Sequence, residues 1–216
     1  MTAGIAVYND WGTVQIDENW AAMSLRQKTQ IAVQTPATGA QAYNGNLTFA
    51  AVSPVVFWKA DAPIYVLTST NNGNGTWTYT FRATDPTFAT VYVFDTPEWA
   101  TQNYGLEVFN ASGVKVFGDQ LSSLKLAKVL PIGGTVPLVW GGLPPGEYAV
   151  TTSDPGFKSE TYAADIERTA VFSCGARHLA NGASCDWVLA RDGIPFAVNS
   201  QSFTPQFLLV ADVAGL

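Results

Sequence analysis

The chain has 216 residues, 13% of them charged and 12% aromatic, with seven Trp and a formal net charge of −6. Only 11 Lys and Arg are present and none cluster, which leaves no electrostatic footprint for nucleic acid or anionic membranes, and no apolar run approaches the roughly 18–20 residues that cross a bilayer, so no membrane insertion is expected. A charge content well under the usual value of about 25% points either to subunit contacts, whose cores are poor in charge and rich in aromatics, or to a β-rich fold with Thr, Asn, Ser and Gly outside.

The N-terminal "MTAGIAVYND" shows no basic segment followed by an apolar stretch, so no signal peptide is expected and the chain should be made in cytosol. Next, "IDENWAAMSLRQK" fits a short helix capped by Asp17 or a strand after a turn, and comparison with the second half favours the strand. "IYVLTST-NNGNG-TWTYTFRA" is the clearest hairpin: Trp77, Tyr79 and Phe81 alternate with Thr76, Thr78 and Thr80, as one buried face requires. Its Asn-Gly loop supplies residues that accept positive φ. "FATVYVFD", "SSLKLAKVL", "PPGEYAVTT" and "QFLLVADV" follow as strands, and "VLARDGIPFAV" as a hairpin turning at Asp192-Gly193. Short strands punctuated by turn residues predict an all-β sandwich or barrel.

Cys174 and Cys185 flank "GARHLANGAS". A two-residue turn at Asn181-Gly182 sets Cys174 opposite Leu189 and Cys185 opposite His178, about four steps out of register, too far to bond. Reduced thiols are therefore expected; a longer loop centred on Leu179-Ala180 would bring them face to face.

The chain also repeats itself. "GIAVYNDWG" from Gly4 and "GLEVFNASG" from Gly105 align without gaps, with Gly4/Gly105, Val7/Val108, Asn9/Asn110 and Gly12/Gly113 identical, and Ile5/Leu106, Tyr8/Phe109 and Ile16/Phe117 similar. Each reads as strand, Asn-x-x-Gly turn, strand, in which Asn caps the turn and Gly takes its left-handed position. Two tandem β-sandwich-like domains are expected, 1–96 and 105–216, each opening with this hairpin and joined by a linker at 97–104.

Catalytic signals are scarce. No G-x-S-x-G elbow, phosphate-binding glycine loop or H-E-x-x-H occurs. His178, the sole His, could pair with a cysteine as nucleophile and base, but its loop-like setting favours an ordinary turn residue. Asp165 and Glu167 share a face if extended and could act as paired carboxylates of a hydrolase; a solvated face is the plainer reading. Two Cys and one His fall short of a zinc site, no Asp/Asn ladder matches a calcium loop, and the sequons at Asn46, Asn74 and Asn110 read as Asn-rich turns. No catalytic, cofactor-binding or metal residues are assigned, and no cofactor. The remaining candidates are aromatics at turns, linker and strand ends: Trp11, Trp99, Trp20 and Trp58, as contacts to a partner or ligand.

The stretch "VYVFDTPEWATQNYGLEVFNASGVKVF" (91–117) resembles the small β-rich tail-tip and tail accessory proteins of long-tailed bacteriophages, many of which open with a "GL-x-V-F/Y-N-x-x-G" strand and turn. The resemblance implies a non-enzymatic virion component of the tail tip. It would contact a central hub or distal tail protein, oligomerise within the assembly, and take part in recognising a bacterial surface receptor. A carbohydrate-binding module or adhesin is the alternative, and an unrecognised hydrolase the second.

Overall fold

The computed structural model describes residues 6–8, 14–17, 21–38, 41–101, 103–132, 136–153, 156–161, 169–194, 202–203 and 207–216. The first half supplies β1 (Ala6–Tyr8), β2 (Val14–Asp17), β3 (Ser24–Val33), β4 (Thr35–Pro36), β5 (Tyr43–Ala50), β6 (Val55–Ala60), β7 (Ile64–Asn71), β8 (Thr76–Ala83) and β9 (Thr87–Asp95). The second supplies β10 (Glu107–Phe109), β11 (Lys115–Gly118), β12 (Lys125–Pro131), β13 (Leu138–Gly141), β14 (Tyr148–Thr152), β15 (Phe157–Thr161), β16 (Thr169–Leu179), β17 (Gly182–Ile194), β18 (Ser202–Phe203) and β19 (Phe207–Asp212). The only helical element among the described residues is a single 3-10 turn, Pro97–Trp99. The all-β class holds, and "AAMSLRQK" enters a strand.

The two opening hairpins have one register. Ala6↔Asp17, Val7↔Ile16 and Tyr8↔Val14 in the first match Glu107↔Gly118, Val108↔Phe117 and Phe109↔Lys115 in the second, each shifted by 101 positions, with a bulge at the same step. In the second turn Asn110 Oδ1 accepts from the backbone N–H of Ser112 and of Val114, both at 2.9 Å, and Gly113 sits at φ +75°. The Asn therefore satisfies turn donors that the ladder cannot reach, and only Gly takes that φ without strain.

Beyond the hairpins, the sheets run through both halves. A six-stranded sheet has the order β12-β19-β14-β6-β9-β3, and a larger one follows β13-β17-β16-β7-β8-β5-β4, with β15 and β18 alongside. The smaller sheet and six consecutive strands of the larger are palindromic in the repeat: β3, β9, β6 of the first half mirror β12, β19, β14 of the second, and β7, β8, β5 mirror β16, β17, β13. The seams are antiparallel, through Trp58↔Val150 and Ala176↔Ile64. The expected division at 97–104 into two domains is thus corrected: each repeat brings three strands to the six-stranded sheet, the first brings four and the second five to the larger one, and the edges of β6 and β7 are closed by their counterparts, which removes exposed ladder edges there. The repeat extends past the hairpins as well. Asp95 pairs with Ser24 and Asp212 with Lys125, so "VYVFD" (91–95) and "LLVAD" (208–212) occupy equivalent places.

One core fills the space between the sheets, with Val33, Trp58, Val91, Phe81 and Ile64 from the first repeat meeting Val150, Cys174, Ala176, Leu208 and Val210 from the second. The stripe Trp77, Tyr79, Phe81 lines it as its alternation predicts. A second apolar cluster, Phe57, Tyr92, Phe94, Ala149, Ala211 and Val213, lies on the other face of the six-stranded sheet. That sheet curls until the starts of its two outer strands meet: Ser24 bridges Ser123, Leu25 N donates to Ser122 O at 2.8 Å and Leu124 N to Met23 O at 2.7 Å. Met23 and Leu124, again 101 apart, pack on the enclosed cluster.

Two expectations in the β16–β17 hairpin are corrected. Cys174 and Cys185 form a disulfide with Cα atoms 6.3 Å apart. The turn lies at Ala180-Asn181, because Leu179 pairs with Gly182, one residue earlier than the Asn-Gly pair suggested. Cys174 then faces Trp187 and Cys185 faces Ala176, which makes the cysteines diagonal neighbours on one face. Asp192-Gly193 is no turn; it lies inside β17, where Thr169↔Ile194, Val171↔Arg191 and Phe172↔Leu189 accommodate extra residues as bulges. Replacing both cysteines by Ala should cost about 3 kcal/mol, the loop-closure contribution of a short cross-link. Urea unfolding without reductant checks it, alongside thiol labelling of the denatured wild type, which should take up no reagent.

Candidate functional site

Of the aromatic candidates, Trp58 is corrected as an exposed contact to a partner protein. Strand β6 is apolar almost throughout, and its inward positions Val56, Trp58 and Ala60 are buried. Trp58 is 0% exposed, donates Nε1–H to Ala176 O at 2.9 Å and meets Phe81 edge-on at 6.0 Å. It is a core residue of the seam between repeats, out of reach of a partner protein, and it also lines the cleft at one end of that seam. Trp11 and Trp20 lie outside the described residues, as do Asp165 and Glu167.

Trp99 is 36% exposed at the end of the 3-10 turn, with the Arg26 guanidinium 5.4 Å over its ring. Nearby in the chain, Tyr104, Leu106 and Phe109 are exposed as well. The hairpin that carries Phe109 is anchored from below. Lys115, buried, donates to Glu107 Oε1 at 2.6 Å and to the carbonyl of Ala100, tying β11 to β10 and to the linker. Val108 and Val116 are buried beside it. A shallow hollow of about 430 Å³ runs between Glu98, Thr101, Phe109 and Lys115. Sequence reading missed Tyr104, Leu106 and Phe109 as surface groups, because Leu106 and Phe109 sit in a strand pattern that reads as core.

Two clefts lie at opposite ends of the seam. The first, about 400 Å³, is lined by Val55, Trp58, Val66, Leu67, Thr68, Ser69, Tyr79, Thr151, Thr152 and Ser153 among others, with no charged side chain among the described residues. The second, about 360 Å³, holds Lys28, Lys59, Asp61, Tyr92, Glu147 and His178. The palindrome relates them: Tyr92 in the second stands where Leu209 stands in the first, and Lys59 where Ser153 stands. His178 Nδ1 is 2.9 Å from Ala60 O, and Lys59 is 3.8 Å from Glu147, so both are tied into the scaffold. Burial pushes the phenol of Tyr79 up, and that of Tyr92 up with help from the Glu147 carboxylate, so both stay protonated hydroxyls at neutral pH. Among the described residues no group of three or more His, Cys, Asp or Glu is placed to hold a metal ion.

What fold and site define together is an all-β, two-sheet sandwich-like protein built from two hairpin-led halves. No family model matches the chain, and no curated protein or solved structure matches it.

Proposed function

We propose that this chain is a non-enzymatic structural protein of a bacteriophage tail tip that contributes to recognition of a host receptor. The observation that carries the reading is the run of exposed large apolar side chains, Trp99, Tyr104, Leu106 and Phe109, on a linker and hairpin held in place by Lys115 and the Asn110 turn. Such side chains on a fixed platform suit a permanent protein contact. They fall within the 91–117 stretch that resembles tail-tip proteins. The partners are then a central hub or distal tail protein, with further copies of this chain in the assembly. The Cys174–Cys185 disulfide suits a particle whose working life is outside cells. A carbohydrate-binding module or adhesin is the second reading, favoured by the uncharged cleft at the seam.

Size-exclusion chromatography with light scattering, on the chain alone and co-expressed with the tail-hub protein, tests the proposal. A complex with the hub is expected. Trp99→Ala and Phe109→Ser should each weaken it more than about tenfold, since burying one large aromatic contributes about 2–3 kcal/mol. A stable monomer that ignores the hub, with both variants unchanged, overturns the reading.

A further inference from the structure

We infer that the uncharged cleft between the two repeats is a binding site for a neutral saccharide. Its walls are strands β6, β7, β8 and β14, where both repeats and both sheets meet. Six hydroxyl-bearing residues line it: Thr68, Ser69, Tyr79, Thr151, Thr152 and Ser153. Ser153 Oγ accepts from Phe207 N at 3.1 Å, and the hydroxyls of the other five make no side-chain hydrogen bond among the described residues. Each is both donor and acceptor, with its hydrogen free to rotate. A sugar hydroxyl has the same dual character, so a cleft of this kind can match a sugar ring without a fixed pattern of charge.

Three further features narrow the ligand. Among the described residues no Lys, Arg, His, Asp or Glu lines the cleft, so those walls offer an ionic ligand nothing to replace its lost hydration. Val55, Val66 and Leu67 give apolar surface for the C–H faces of a pyranose, and the Tyr79 ring is fixed by Phe49 at 5.4 Å and Phe81 at 6.3 Å. The volume of about 400 Å³ falls in the range of small-ligand sites. Sheet walls order nothing new on binding, which lowers the entropic cost. The equivalent cleft at the other end of the seam is lined by Lys59, Glu147 and His178, so among the described residues only the first of the two is uncharged.

The inference rests on the recognition part of the proposal above and not on the tail itself. Its test is a heteronuclear NMR titration of the full chain with D-glucose, D-galactose, L-rhamnose, N-acetyl-D-glucosamine, maltose and lactose. N-acetylneuraminic acid serves as the anionic control. At least one neutral sugar should shift the amides of Thr68, Ser69, Thr151 and Thr152 saturably. Thr152→Val and Tyr79→Phe, which keep shape and remove one hydroxyl each, should each weaken binding about tenfold. Lys59→Ala in the charged cleft should leave it unchanged. No saturable shift at these amides with any of the six sugars overturns the site. So does binding indifferent to both hydroxyl variants, or tighter binding of the anionic sugar. Thr152→Val should still bind the hub protein. Hub binding without sugar binding overturns the cleft alone; sugar binding without hub binding overturns the tail reading alone.

Discussion

Trp58→Ala is expected to lower the unfolding free energy by about 3–5 kcal/mol, the cost of a large cavity in a packed core. The side chain is fully buried, closes the β6–β14 seam opposite Val150, and reaches across to the other sheet through its bond to Ala176 O. Both repeats contribute to the core it fills, so the loss should appear as one cooperative urea transition moved to lower denaturant, seen equally by probes in either half. Trp58→Phe keeps most of the volume but leaves Ala176 O without its partner, and about 1–3 kcal/mol should be lost. Two separate transitions, with only one shifted by Trp58→Ala, would show that the repeats fold independently.

Asp95→Ala should cost about 3–5 kcal/mol, as removal of one partner from a buried ion pair does. The carboxylate is 0% exposed and accepts from Arg26 Nη1 at 2.5 Å, Val52 N at 2.9 Å and Ser53 N at 2.8 Å. It thus fixes the turn into β6 and holds Arg26 beneath Trp99. Without it two backbone donors and a guanidinium, itself only 20% exposed, lose their acceptor together. Asp212, its counterpart in the repeat, accepts with its carboxylate, among the described residues, only from Ala214 N at 3.0 Å and is partly exposed. Asp212→Ala should cost about 1 kcal/mol. Urea unfolding of the two variants side by side reads the difference, and equal losses would contradict the unequal hydrogen bonding.

The strands were legible because each announces itself locally. "TWTYTFRA" alternates with period two, Asn-x-x-Gly fixes a hairpin turn within four residues, and the constant shift of 101 exposed the duplicated opening without any knowledge of the fold. The deeper extent of the repeat was not legible. "VYVFD" and "LLVAD" are 117 positions apart and not 101, since the loops between them differ in length, and no fixed alignment finds them. The seam was hidden for a related reason. Trp58↔Val150 and Ala176↔Ile64 join residues about a hundred positions apart, and edge-to-edge pairing leaves no period in either strand. The near-continuous apolar run of β6 was the one local hint that both its faces are covered. The cysteines turned on a single residue of turn placement, which local propensity does not decide, because one step of slip moves every opposing pair. The same holds for the sites. Sequence pointed to Trp99 through its turn setting, but Phe109 and Leu106 look like core until the hairpin is seen standing outside the sandwich. The hydroxyl cleft gathers Thr68, Tyr79 and Thr152 from three strands. Sequence determined which residues alternate and where the chain turns; only the tertiary structure decided which strand edges meet, because that choice is made by burying one common core.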